Sequence, residues 1–286
     1  MSIPNSKLSV WGQRYPGNAP KQVLASIRDA LAGYTGWAEK PGYEIFLQGS
    51  HDNDTDLGRD TNVDIVVQLG VRLPSRVGKL DGIQLEQDEE HIQIHEQWES
   101  VRRHLSEALI TVYSTDTVIS GEKSIRIMKG IAPTSTEIIA AVGYGDGMAF
   151  FIEEDQRWVV QYPRQHQKRG LKKEKTTSNR FKRTIRMFKS ARNHLVANRV
   201  ISEKTASSYF IECLLFNVPD NLFKGDYRQT YSGIITFLKK ANLKQFNSQN
   251  GMRPLFGQEK DQWNAGDALT FILALERMWV RWPRLS

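Results

Sequence analysis

Residues 43–69 read YEIFLQGSHDNDTDLGRDTNVDIVVQL, and their organisation decides the fold. Tyr43–Gln48 reads as a short strand. From Gly49 to Thr61 the composition turns to Gly, Asn and Asp, which marks a polar loop. Asn62–Leu69 is β-branched and strand-like again. Strand side chains alternate, so positions 62 and 64 share a face. Asp64 stands inside an otherwise apolar VDIVV, where an ionised carboxylate needs a reason to be. The Gly49-Ser50 turn offers backbone N–H groups and a hydroxyl to an anion. A strand that delivers a Gly-Ser turn, followed by a strand presenting positions 62 and 64 on one face, is the arrangement that, with acids at both positions, would hold a divalent metal across a triphosphate.

Working outward, residues 18–37 carry apolar groups at helical spacing, with Pro20 near the start and Gly33 near the end. Residues 87–112 read as a long amphipathic helix, Lys123–Met128 and Thr136–Val142 as strands, and Met148–Ile152 with Arg157–Gln161 as a hairpin that Pro163 ends. Beyond it the strands stop. Asn179–Asn198, Ala206–Phe216, Asp226–Leu243 and Asp261–Trp279 all read as helices. Strands first and helices after predict an α+β chain, with a mixed-sheet lobe over 1–165 and a helical lobe over 166–286. The N-terminal helix is expected to pack on the second lobe.

The 286 residues carry 39 Lys and Arg against 32 Asp and Glu, a formal charge of +7 that favours anionic partners. Residues 164–189 concentrate the cations, with Glu174 their only carboxylate, and read as a connection between lobes that turns charge toward a cleft. Hydrophobic residues at 40% and charged residues at 25% are ordinary globular usage and exclude disordered, collagen-like or membrane-embedded chains. The opening MSIPNSKLSVWGQRYPG lacks a signal peptide's apolar core. The single cysteine, Cys213, excludes an internal disulfide and a Cys-based zinc cage, so a reducing cytosol is expected. His91 and His95 have i, i+4 spacing but no evident third ligand. No Ser-His-Asp order, P-loop or GxGxxG fingerprint is present.

The stretch LQGSHDNDTDLGRDTNVDIVV resembles the signature of polymerase-β-like nucleotidyltransferases, and more narrowly that of the bacterial relatives of cyclic GMP-AMP synthase, the CD-NTases. The resemblance continues through Tyr162-Pro163, Asn179–Lys189, Ser207-Ser208-Tyr209 with Glu212–Leu215, Trp263 and the Trp279–Trp282 end, about residues 18–283 in all. It implies a two-lobed polymerase-β-like fold with substrates in a basic cleft between the lobes. It implies metal ligands at position 62, Asp64 and Glu137, with Mg²⁺ or Mn²⁺ as cofactor. Nucleotide contacts would come from Gln48, Gly49, Ser50, Lys182, Arg186, Lys189 and Ser208, and a base stack from Tyr209. His166 is a weaker candidate for a base contact.

One position departs from the family pattern. Its first metal-binding Asp falls on Asn62, a neutral oxygen donor, which should weaken a hard cation's hold. Two explanations stand: an inactive or substrate-trapping form that still binds nucleotide, or a site that works with Asn62, Asp64 and Glu137. The implied reaction joins ribonucleoside triphosphates (ATP, with UTP, GTP or CTP as further candidates) into a cyclic di- or oligonucleotide messenger of antiphage signalling. A separate effector protein would sense the product. The chain is expected to be a monomer, with no membrane partner and no required nucleic acid. The rival readings are a linear RNA-tailing or oligoadenylate-type enzyme and a non-catalytic nucleotide sensor.

Overall fold

The computed structural model describes residues 2–14, 17–37, 40–58, 62–74, 83–84, 89–128, 134–259 and 262–283. In chain order the elements are α1 (Asn5–Trp11), α2 (Ala19–Gly33), β1 (Tyr43–Gln48), α3 (Gly49–Asp52), β2 (Val63–Arg72), β3 (Ile83–Gln84), α4 (Glu89–Tyr113), β4 (Val118–Ser120), β5 (Ile125–Ile127), β6 (Thr136–Tyr144), β7 (Gly147–Ile152) and β8 (Arg157–Gln161). Then come α5 (Pro163–Thr176), α6 (Phe181–Ala197), α7 (Ser208–Phe216), α8 (Tyr227–Lys240) and α9 (Ala265–Arg281). Every named strand precedes residue 162, so the expected order of strands then helices holds.

The chain forms two compact units. The sheet unit comprises Pro16–Asp52 and Gly58–Arg164; the helical unit comprises Met1–Tyr15, Asn53–Leu57 and Gln165–Ser286.

In the sheet unit one mixed sheet runs β1-β2-β6-β7-β8-β3, and β4 and β5 extend from β6. β1 and β2 are antiparallel, β2 and β6 parallel. β6 is long enough to serve several neighbours: its first half pairs antiparallel with β5, and its last residues pair with β7. The parallel β2–β6 pair needs a long crossover, and α4 lies within it. Trp98 on α4 donates its indole N–H to the Ala140 carbonyl at 2.8 Å, which fixes the helix to β6. Ser26 Oγ and the Tyr113 hydroxyl, 2.5 Å apart, join α2 to α4. His95, Trp98, Phe151 and Trp158 pack edge-on or tilted in one aromatic cluster. His95 is thus a packing residue and His91 is buried, so the spacing of these two histidines reflects a buried helix face. Val63, Ile65, Val66, Val67 and Leu69 are all buried, as expected of a central strand covered on both faces.

In the helical unit, Phe181, Phe188 and Leu195 of α6, Phe210 and Leu214 of α7, Tyr231 and Ile234 of α8, and Phe271 and Leu275 of α9 share one core. Ile3 and Leu8 join it from the N-terminal segment. The Trp11 carbonyl accepts from Ser190 Oγ at 3.1 Å, and the Gly12 carbonyl from Arg186 Nε at 3.0 Å. A Cβ on Gly12 would come within 2.8 Å of the Tyr227 ring and 3.0 Å of the Arg183 carbonyl, so the glycine lets α1 pack closely.

Two local expectations are corrected. The basic run after Pro163, read as a connection between lobes, begins as a helix, α5, with Pro163 pre-set for a first helical turn. Gly170 does not break that helix. A Cβ there would come 2.6 Å from Gln249 Nε2, so its small size serves packing. The polar stretch after β1 likewise opens as a short helix, α3.

Candidate functional site

Three strand registers create one row of side chains in the sheet unit. Gln48 pairs with Asp64, Asp64 with Glu137, and Glu137 with Arg126. Residues paired across adjacent strands point to the same face and lie about 5 Å apart. The next row on that face is apolar, Phe46–Val66–Ile139. The polar row therefore stands at the end of a hydrophobic floor. Sequence alone left the facing of Glu137 open; the parallel register puts it beside Asp64.

Gly49 follows directly on β1 with φ +72°, in the left-handed region that favours glycine. A Cβ there would also collide with Asp64 Oδ2. Backbone conformation and space thus both demand glycine, and the Asp64 carboxylate occupies the room it leaves. Ser50 follows on α3, half-buried. Glu137 is one-third exposed; its carboxylate lies 3.6 Å from Arg126 Nε, and it accepts from Ser124 Oγ at 3.4 Å. Asn62, exposed just before β2, donates its amide to Glu137 Oε1 at 3.5 Å. An aspartate at 62 would instead place a further anion against Glu137.

The donors fit a hard divalent cation in kind: two carboxylates and one amide oxygen. Among the described residues no three Asp, Glu, His or Cys side chains converge on one point, consistent with an amide at position 62.

The helical unit holds a second charged group of a different kind. Glu212, on α7, is 4% exposed. Its Oε1 accepts from Lys189 Nζ and from Thr55 Oγ1, both at 2.6 Å. Its Oε2 accepts from His166 Nε2 at 2.9 Å and from Asn53 Nδ2 at 3.5 Å. Burial alone would raise this carboxyl; the Lys189 ammonium and the His166 bond reverse that and hold it well below the usual carboxylate range. Lys189 also donates to the Thr55 carbonyl at 3.1 Å. Arg186 donates to the Asp54 carbonyl at 2.5 Å, and Arg14 pairs with the Asp54 carboxylate at 2.7 Å. Asn53–Leu57, in the middle of the quoted motif, is thereby pinned within the helical unit.

Three of the expected nucleotide-contact residues have internal partners. Lys189 is 1% exposed and ion-paired with Glu212. Arg186 is buried and holds two backbone carbonyls; burial lowers its pKa. His166, the weaker candidate for a base contact, is a buried side chain of α5. Lys182 lies half-buried in the first turn of α6, its backbone N–H capped by Glu174 at 2.8 Å. Ser208 opens α7 after the N-cap Ser207 and accepts from Arg192 Nη2 at 3.3 Å. Tyr209 is 42% exposed, with its ring stacked on His166 at a centroid distance of 5.2 Å and 29°.

Sequence reasoning passed over Glu212, Thr55, Arg192 and Arg126. One signal was available: a lone acid in YFIECLLF demands a buried partner as surely as Asp64 does.

The strand row, the glycine opened for a carboxylate and the helical unit define a two-lobed polymerase-β-like nucleotidyltransferase fold. The family described as the cGAS/DncV-like nucleotidyltransferase C-terminal helical domain matches residues 168–280. A cyclic UMP-AMP synthase of Rhodothermus marinus is 32% identical over 297 residues, covering 99% of both chains. A cyclic nucleotide synthase of Staphylococcus haemolyticus is 30% identical, covering 99% of this chain and 100% of that one. The solved R. marinus synthase with Apcpp and Upnpp superposes with a TM-score of 0.84 at 31% identity, over 98% of each chain. This chain belongs to the CD-NTases, the bacterial cGAS/DncV-like nucleotidyltransferases.

Proposed function

We propose that the chain joins ribonucleoside triphosphates into a cyclic di- or oligonucleotide, with ATP and UTP the first pair to test because a full-length relative is named a cyclic UMP-AMP synthase. The observation that carries this reading is the Asp64–Glu137 register pair beside Gly49. A ribose hydroxyl of one nucleotide attacks the α-phosphorus of a second triphosphate. The new P–O bond forms as the bond to pyrophosphate breaks, and the hydroxyl proton is lost. A second transfer closes the ring.

Asp64, Glu137 and the Asn62 amide oxygen would hold the divalent ion, which supplies Lewis-acid activation and charge neutralisation. Gln48, Gly49 and Ser50 orient the phosphates from β1 and α3. In the helical unit Ser208, at the start of α7, and Lys182 meet phosphate, and Tyr209 stacks on a base. Asp64 sets the catalytic row; Glu137 completes it. The reaction belongs in the cytosol, where the triphosphates are, and among the described residues no helix is long and apolar enough to cross a membrane. The product is a messenger for a separate effector protein, and the synthase works as a monomer.

The Asn62–Glu137 hydrogen bond favours a second reading, nucleotide binding without turnover. One experiment separates the two. The chain and its Asn62→Asp form are incubated with four labelled ribonucleoside triphosphates and Mg²⁺ or Mn²⁺, and products are treated with phosphatase. Phosphatase-resistant label from either form supports cyclisation. Linear, phosphatase-sensitive chains indicate a tailing enzyme. Bound but unconverted nucleotide in both forms supports the binding protein.

A further inference from the structure

We infer that His166 is a positioning residue whose imidazole, clamped by Glu212, seats Tyr209 as a fixed stacking platform; this rests on the reading of Tyr209 as the base contact. Tyr209 and Glu212 are three residues apart on α7, so both project from one side of that helix. Between them sits an imidazole from another helix. The inner face of the Tyr209 ring lies on it, 5.2 Å between centroids at 29°. Its Nε2 is bonded to Glu212 Oε2 at 2.9 Å. One helix thus carries both the ring that rests on the imidazole and the acid that holds it.

The clamp is itself held from its other side. Lys189 and Thr55 fix the other carboxylate oxygen at 2.6 Å each. Gln249 Nε2 donates to the His166 carbonyl at 2.9 Å, so the histidine is held by backbone as well as ring. Gly170 makes room for that amide. His166 is 5% exposed while Tyr209 is 42% exposed. The buried ring is therefore a foundation, and the outer face of the tyrosine is what a flat ligand meets. Without support, a half-exposed tyrosine would have to surrender side-chain freedom at each binding event. Held in advance, it offers its face to any base, since every base has a π-face. The role is distinct from reading a base edge, for which His166 is too buried.

The test uses the full chain and fluorescent non-hydrolysable ATP and UTP analogues, with inorganic tripolyphosphate as a probe lacking a base. Tyr209→Ala should weaken both analogues about tenfold, within the range of one lost base–aromatic stack, and leave tripolyphosphate unchanged. His166→Ala should lose nearly as much, again for the analogues alone. His166→Phe keeps a flat ring without the acid bond and should restore most of the affinity; His166→Gln keeps a donor without the ring and should not. In the Tyr209→Ala background, His166→Ala should add nothing. Thermal midpoints identify any variant that fails to fold, and the Phe and Gln variants carry the test if the Ala variant does. Parent-like analogue affinity in His166→Ala and His166→Gln, beside a weakened Tyr209→Ala, overturns the positioning role alone. Additive losses in the double variant overturn it as well. An unchanged Tyr209→Ala removes the platform reading and this inference together, and is recognised from that variant by itself.

Discussion

The two acidic groups use the same functional group to opposite ends. In the sheet unit, Asp64 and Glu137 stand side by side, neither fully buried, with Arg126 and the Asn62 amide loosely disposed around Glu137. In the helical unit, Glu212 is enclosed and bonded by an ammonium, an imidazole, a hydroxyl and an amide. The first pair is only part-buried, and it is the pair proposed to hold the divalent ion. The second spends its charge on internal order, where an unpaired ion would be costly. Acids in apolar surroundings therefore differ in what stands opposite them: another carboxylate beside Asp64, and an ammonium beside Glu212.

That contrast is most sharply broken by exchanging the effects. Asp64→Ala should abolish nucleotidyl transfer, by at least about 10³-fold, while the thermal midpoint stays level or rises. A large loss of stability there would show that Asp64 is structural. Glu212→Ala should do the reverse, costing about 3–5 kcal/mol in denaturant unfolding because it strands the buried Lys189 charge. A cost below about 1 kcal/mol would mean that the pair contributes little net stabilisation.

The same difference has a pH signature. Glu212 has a folded pKa depressed below its unfolded value, near 4.3. Its contribution is present above the unfolded value and is lost as pH falls from about 5 toward its much lower folded pKa. Glu212→Gln should flatten that acid limb in urea titrations run from pH 6 to pH 2, whereas Asn62→Asp should leave the limb's shape intact. Asn62→Asp should instead tighten Mn²⁺ binding about tenfold, read by titration without nucleotide, because it adds a charged ligand. The smallest effect belongs to Ser207, whose side chain accepts from the Phe210 N–H at 3.2 Å; Ser207→Ala should cost about 1 kcal/mol.

Sequence reading reached furthest where periodicity and punctuation agree. YEIFLQ, NVDIVVQL and the MAFFI–RWVVQ hairpin are β-branched or aromatic runs bounded by turn residues, and β1, β2, β7 and β8 fall on them. Asp64 was legible because a charge inside VDIVV has no local excuse. The facing of Glu137 required the β2–β6 register, which depends on a crossover of more than 60 residues. The ion pair of Lys189 was hidden for a similar reason. The lysine ends a run of cations, and nothing within that run shows that its partner is Glu212, 23 residues further on inside an apolar helix. α5 was obscured by Gly170, whose packing partner Gln249 lies 79 residues away. The limits of the reading are thus long-range pairings, which leave no mark on local composition.

The helical unit draws its N-terminal residues and the Asn53–Leu57 strap from chain made well before its main body. A ribosome releases sequence in order, at about 5–20 residues per second. The sheet unit's last residue, Arg164, emerges with more than a hundred residues still to come. Leu8, on α1, must therefore wait until α6 is made, with α8 following it, before it meets the elements it packs against. Until α6 emerges, α1 lacks the partner that holds it, and seven residues are too few to stay helical alone. The helical unit can therefore gather its core only after the sheet unit has left the ribosome.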